Sequence, residues 1–85
     1  MTGSAGNRRA STVKMSVLVS GHRTSISLEA EFEREFRRIC RKLGEPLGTA
    51  VTRIDRQRKP DQSLSSAIRV FVLGHVRDEV RMRSP

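Results

Sequence analysis

Two short stretches near the start of the chain alternate apolar and polar residues with a period of two, and the phase of the alternation flips between them. In the first, Val13, Met15, Val17 and Val19 interleave with Lys14, Ser16, Leu18 and Ser20. In the second, Ile26 and Leu28 interleave with Arg23, Ser25 and Ser27, so the apolar positions have moved from odd to even numbers. A period of two puts alternate side chains on opposite faces of a strand. The flip across Ser20-Gly21-His22 then demands a turn or a bulge, which Gly21 suits because it adopts positive φ without steric cost. The second strand, 22–28, has one apolar face that seeks a core and one basic, hydroxyl-bearing face that seeks hydrogen-bonding partners.

Length and composition limit what those strands can join. Eighty-five residues with 35% hydrophobic content make at most one small domain. The chain has no Trp or Tyr, three Phe and the single Cys40, so neither an aromatic core nor disulfides reinforce it, and oligomerisation is the expected remedy. The longest apolar run, Val70-Phe71-Val72-Leu73, falls far short of the roughly 20 residues of a membrane span. No signal-peptide pattern opens the chain, and a reducing, cytoplasmic setting is expected.

The net charge of +8 is unevenly spread. Residues 1–28 hold Arg8, Arg9, Lys14 and Arg23 and no acidic residue, whereas 29–43 nearly cancels itself. Basic character returns along 49–60 through Arg53, Arg56, Arg58 and Lys59 against Asp55. Such a distribution suits nucleic acid, with phosphates and base edges as partners. Residues 1–12 are too poor in apolar residues to order themselves and read as a disordered basic arm preceding a single domain over 13–85.

Three helices follow the strands. Over 29–43, Phe32, Phe36, Ile39, Cys40 and Leu43 form one apolar stripe, acidic residues crowd the first turns, basic ones the last, and Gly44 stands at the C-cap position. Pro46 suits the entrance to a second helix, 47–57, with Leu47, Ala50, Val51 and Ile54 inward. A third, 64–82, starts after a cap at Ser63 or Ser65 and turns Leu64, Ala67, Ile68, Phe71, Val72, His75 and Val76 inward. The class is mainly α, with a further candidate strand at 13–19.

The order strand, helix, Gly-containing turn, helix resembles the ribbon-helix-helix family of bacterial DNA-binding proteins. The resemblance rests on Arg23-Thr24-Ser25-Ile26-Ser27-Leu28, the Phe32/Phe36/Ile39/Leu43 stripe, Gly44, and Leu47-Gly48-Thr49-Ala50-Val51, and it covers about residues 22 to 57. Residues 63–73 also look like the additional C-terminal helix of a short subfamily. The resemblance implies an intertwined homodimer whose two copies of the strand pair as a two-stranded antiparallel β-ribbon in the DNA major groove. A groove roughly 12 Å wide admits two strands roughly 4.8 Å apart, but a four-stranded sheet including 13–19 is too wide to enter flat. The first strand is therefore expected to curl away or to stay flexible.

In that geometry Arg23, Ser25 and Ser27 face the bases, Arg23 with two donors for guanine O6 and N7. Phosphate contacts are expected from the backbone N–H groups of Leu47, Gly48 and Thr49 at the start of the second helix. Family members commonly place a serine-like cap where this chain has Pro46. Lys14, His22, Arg8 and Arg9 are expected to add nonspecific phosphate contacts. His22, His75 and Cys40 show no metal-ligand spacing, and no cofactor, metal or enzymatic activity is expected. The reading is a dimeric, sequence-specific transcriptional regulator, a nucleoid-associated repressor that binds double-stranded DNA and could assemble further along it. Two alternatives stand beside it: an antitoxin-like module whose C-terminal helix binds a protein partner, and a nonspecific architectural DNA binder.

Overall fold

A computed structural model describes residues 12–83. β1 (Thr12–Val19) and β2 (His22–Glu29) form a two-stranded antiparallel sheet, followed by α1 (Ala30–Leu43), α2 (Leu47–Gln57) and α3 (Leu64–Arg83). The expected arm, with Arg8 and Arg9, lies outside the described residues except for Thr12, which opens β1.

The sheet accounts for the phase flip. The pairs run without interruption from Val19↔His22 to Thr12↔Glu29, so an odd-numbered residue of β1 always faces an even-numbered one of β2. Paired residues share a face of the sheet, and the change of parity follows from a two-residue turn, with no bulge. Ser20 and Gly21 have φ of 51° and 84°, both in the positive range that a tight two-residue hairpin needs. β1 therefore does not curl away from β2, as its expected collision with the groove walls had suggested. It stays paired along its whole length.

Met15, Val17 and Val19 of β1 and Ile26 and Leu28 of β2 are buried on one face of this hairpin. They meet Phe36, Ile39 and Cys40 of α1, Ala50, Val51 and Ile54 of α2, and Ala67, Ile68 and Val72 of α3. Phe36 packs edge-to-face on Phe71, with ring centroids 5.9 Å apart. Each Val, Leu, Ile, Phe or Met side chain among them, when fully buried, contributes roughly 1.5–3 kcal/mol, so this cluster is the main source of stability. Leu43, placed on the α1 stripe by its spacing, is instead 48% exposed because the helix ends there.

The ends of the helices follow local chemistry. Gly44 is left-handed, and the N–H groups of Gly44 and Glu45 bond to the carbonyls of Arg41 and Cys40 and close the last turn of α1. Of the two candidate caps of α3, Ser63 is the one used: its hydroxyl accepts from Ser66 N–H at 3.0 Å. Ser65 instead donates its hydroxyl to the Ser27 carbonyl at 2.9 Å. α3 is thus bound into the domain. Glu79 receives Arg38 and Lys42 of α1, and Arg69 grips Glu29 at the end of β2.

Candidate nucleic-acid interface

The face of the sheet opposite the core is set by the same register. Lys14 stands across from Ser27, Ser16 from Ser25, and Leu18 from Arg23, and all six are exposed. The Arg23 guanidinium reaches diagonally across the hairpin and donates to Ser16 Oγ at 3.2 Å. Arg23, Ser25 and Ser27 therefore share one surface, as their alternation predicts, and that surface also holds Lys14, Ser16 and Leu18 from β1. Lys14 was expected to touch phosphate alone. Ser16 and Leu18 were not expected at the site, yet the parity change across a two-residue turn is the signal that places them there.

The electrostatics of this face differ from those of the helices. No acidic residue lies among these three pairs, and neither Lys14 nor Arg23 has a carboxylate partner among the described residues. The first carboxylate beyond them, Glu29, is neutralised by Arg69, whose Nε lies 2.8 Å from Oε1, and that hydrogen bond holds its pKa below the usual range. On the helices, by contrast, Arg37 pairs with Glu33, Arg38 with Glu35 and Glu79, Lys42 with Glu79, and Arg58 with Asp55. Arg38 and Lys42 together hold the Glu79 carboxyl down at about 2.

The start of α2 lies at the turn end of the hairpin. Pro46 is its N-cap and offers no side-chain hydrogen bond, which leaves the backbone N–H groups of Leu47, Gly48 and Thr49 in the first turn, where no intrahelical acceptor exists. An open groove of about 650 Å³ separates this turn from the hairpin tip, lined by Leu18, Ser20, Gly21, Thr49, Thr52 and Arg56 among others. Arg56 has no carboxylate partner among the described residues. Arg53 is already engaged: it donates to both carboxylate oxygens of Glu45, at 3.2 and 2.7 Å, and lies 5.4 Å from the centre of the Phe71 ring.

Gly48 also has a neighbour within the fold that its sequence position did not reveal. A Cβ there would come within 3.1 Å of the Leu18 carbonyl oxygen, so the glycine lets α2 lie against the backbone of β1. Ser20 N–H donates to Thr52 Oγ1 at 3.3 Å and reinforces the same contact. His22 is exposed at the turn, paired with Val19, and so belongs to the helix-facing side of the sheet by register.

The remaining candidate groups are structural. Cys40 is buried, and desolvation raises its thiol pKa, which keeps it protonated and unreactive. The His75 ring sits 4.5 Å from that of Phe71. Among the described residues no group of three or more His, Cys, Asp or Glu side chains could hold a metal ion, and no helix is long and apolar enough to cross a membrane.

No curated protein and no solved structure matches the chain. A family model does: the ribbon-helix-helix domain matches residues 12–76, which takes in the hairpin, α1, α2 and most of α3. That family is a non-enzymatic DNA-binding fold that generally dimerises, and its members are generally transcription regulators or antitoxins. With the strand, the two helices and the glycine-capped turn between them all in place, the chain belongs to the ribbon-helix-helix domain family.

Proposed function

We propose that the protein is a homodimeric, sequence-specific transcriptional regulator, a bacterial repressor that lays an antiparallel β-ribbon in the major groove of its operator. The observation that carries this reading is the outward face of the sheet, where Arg23, Ser25 and Ser27 are exposed together and no unneutralised carboxylate opposes them. Arg23 donates to guanine O6 and N7, and the two serine hydroxyls donate to or accept from neighbouring bases, directly or through water. Leu47, Gly48 and Thr49 bind phosphate through their backbone N–H groups, and Lys14, His22, Arg8 and Arg9 add contacts that carry no sequence information.

Dimerisation is supported by what the chain leaves uncovered. Val70 and Leu73 of α3 are each more than half exposed, and their spacing puts them on one side of the helix. A second copy that covers them relieves both this exposure and the small size of the core. The same exposed residues favour the second reading, an antitoxin-like module that presents α3 to a different protein.

The test is capture of fragments of the source genome by the purified protein at near-physiological salt, beside a variant with Arg23, Ser25 and Ser27 all changed to Ala. A recurring short site that the variant fails to enrich supports the repressor. Uniform recovery of fragments supports an architectural role, and a protein that captures no DNA but binds a partner through α3 supports the antitoxin-like role.

A further inference from the structure

We infer that α3 is a clamp for the second copy of the chain: the side of the helix that bears Ser65, Arg69 and Leu73 lies along the free edge of β2, and Leu73 packs against the copy that pairs there. The inference rests on the proposed homodimer and names a surface that holds it together beside the ribbon.

The two edges of the hairpin are not equivalent. Beside a two-residue turn the flanking pair, Val19 and His22, is hydrogen-bonded, and bonded pairs recur at every second position. Leu18, Arg23, Ser25 and Ser27 fall at non-bonded positions, so their N–H and C=O groups point away from the other strand of the hairpin. On the β1 side that edge is covered. A Cβ on Gly48 would stand 3.1 Å from the Leu18 carbonyl oxygen, so α2 occupies the place that a further strand would take.

On the β2 side α3 meets the far end of the strand. The Ser65 hydroxyl donates to the Ser27 carbonyl at 2.9 Å, and Arg69 closes on Glu29 just beyond it. A carbonyl oxygen has two lone pairs, so Ser27 can still accept from a strand laid alongside. Arg23 and Ser25, nearer the turn, are exposed. A second copy therefore pairs on β2, next to the helix that already holds the end of that edge.

The helix carries this contact beyond the strand. Ser65, Arg69 and Leu73 are four residues apart and Val76 stands three further on, a spacing that puts all four on one side of α3. Ser65 and Arg69 grip β2, and Val76 packs against the core. Leu73, in line between Arg69 and Val76 and about 6 Å along the axis from Arg69, is nevertheless 51% exposed. An apolar side chain in line with the grip on β2, and left half in water by its own chain, is covered by the molecule that takes the rest of that edge. Two-fold symmetry sets the partner's stripe at the other end of the ribbon, so the pair is clamped twice.

The experiment is fluorescence-detected sedimentation of the full chain over a range of concentration, with Leu73→Ala, Leu73→Glu and Arg23→Ala beside the wild type, and circular dichroism to follow helix content. The expected result is that Leu73→Ala raises the dimer dissociation constant by roughly tenfold or more, as loss of most of a leucine's apolar surface from an interface requires. Leu73→Glu should raise it further, and Arg23→Ala, on the outward face, should change it by no more than about twofold. Both Leu73 variants should keep their helix content. If folded Leu73 variants dimerise as tightly as the wild type, the clamp is overturned and the homodimer survives through its ribbon alone. If the wild type stays monomeric at every concentration, the clamp and the homodimer are both overturned.

Discussion

The outward face of the sheet and the seam between α1 and α3 are built from similar basic residues and use them in opposite ways. Along the seam, Arg38 and Lys42 converge on Glu79, and Arg38 also reaches Glu35, so the cations are consumed in tying α3 to α1. On the sheet, Lys14 and Arg23 stand exposed without a carboxylate partner among the described residues, and the one acidic residue at the margin, Glu29, is occupied by Arg69. A basic residue is available to a polyanion only where the fold has not already given it a partner. The +8 of the whole chain says little about where DNA would bind, and the pairing says much more.

That contrast separates stability from binding, and variants can break it. The largest expected effect lies on neither surface but beneath both: Phe36→Ala removes a fully buried ring from the junction of the sheet, α1 and α3 and should cost about 3–5 kcal/mol in denaturant unfolding. Arg23→Ala should lower discrimination for guanine by about 1–3 kcal/mol in competition binding and leave stability within about 0.5 kcal/mol. A variant at Arg23 that unfolds the domain would erase the distinction between the two regions.

The seam should answer to acid where the sheet face does not. Glu79 is held at about 2, and the carboxyls of Glu29 and Glu45 are likewise held down by Arg69 and Arg53. A depressed carboxyl contributes stability above its unfolded pKa, about 4.3, and loses it as pH falls toward the folded value. Unfolding followed from pH 6 down to 2 should therefore show stability falling chiefly below about 4.5, and Glu79→Gln should flatten that fall. The smallest effect belongs to Lys14→Ala, which should reduce the slope of log affinity against log salt by about 0.9 if one phosphate contact is lost, with no change in the preferred sequence.

Most of the architecture could be read from periodicity, because each element buries one face. The bounds of α2 and the cap of α1 at Gly44 follow from Pro46 and from glycine's access to positive φ. What could not be read was the relation between elements. The alternation of residues 13–19 marked a strand, but nothing local says that it pairs with β2 of its own chain, and the bulge that would equally explain the phase flip was excluded only by the register. The packing role of Gly48 could not be read for the same reason, since the carbonyl of Leu18 lies thirty positions away in the chain. Ser65 offered itself as a helix cap, and only the placement of α3 beside β2 shows its hydroxyl on Ser27. Within the site, Arg23, Ser25 and Ser27 were legible as one face of one strand. Ser16 and Leu18 needed the second strand to be placed.

The most direct test of reading by the sheet is to measure affinity for a selected operator and for a scrambled duplex over a range of salt, with the wild-type chain and with Arg23, Ser25 and Ser27 all replaced by Ala. The wild type should prefer the operator by roughly 10³-fold or more. The variant should lose that preference while retaining its affinity for scrambled duplex, its salt dependence apart from any contribution of Arg23, and its unfolding temperature. A folded variant that still prefers the operator as strongly as the wild type would contradict the account.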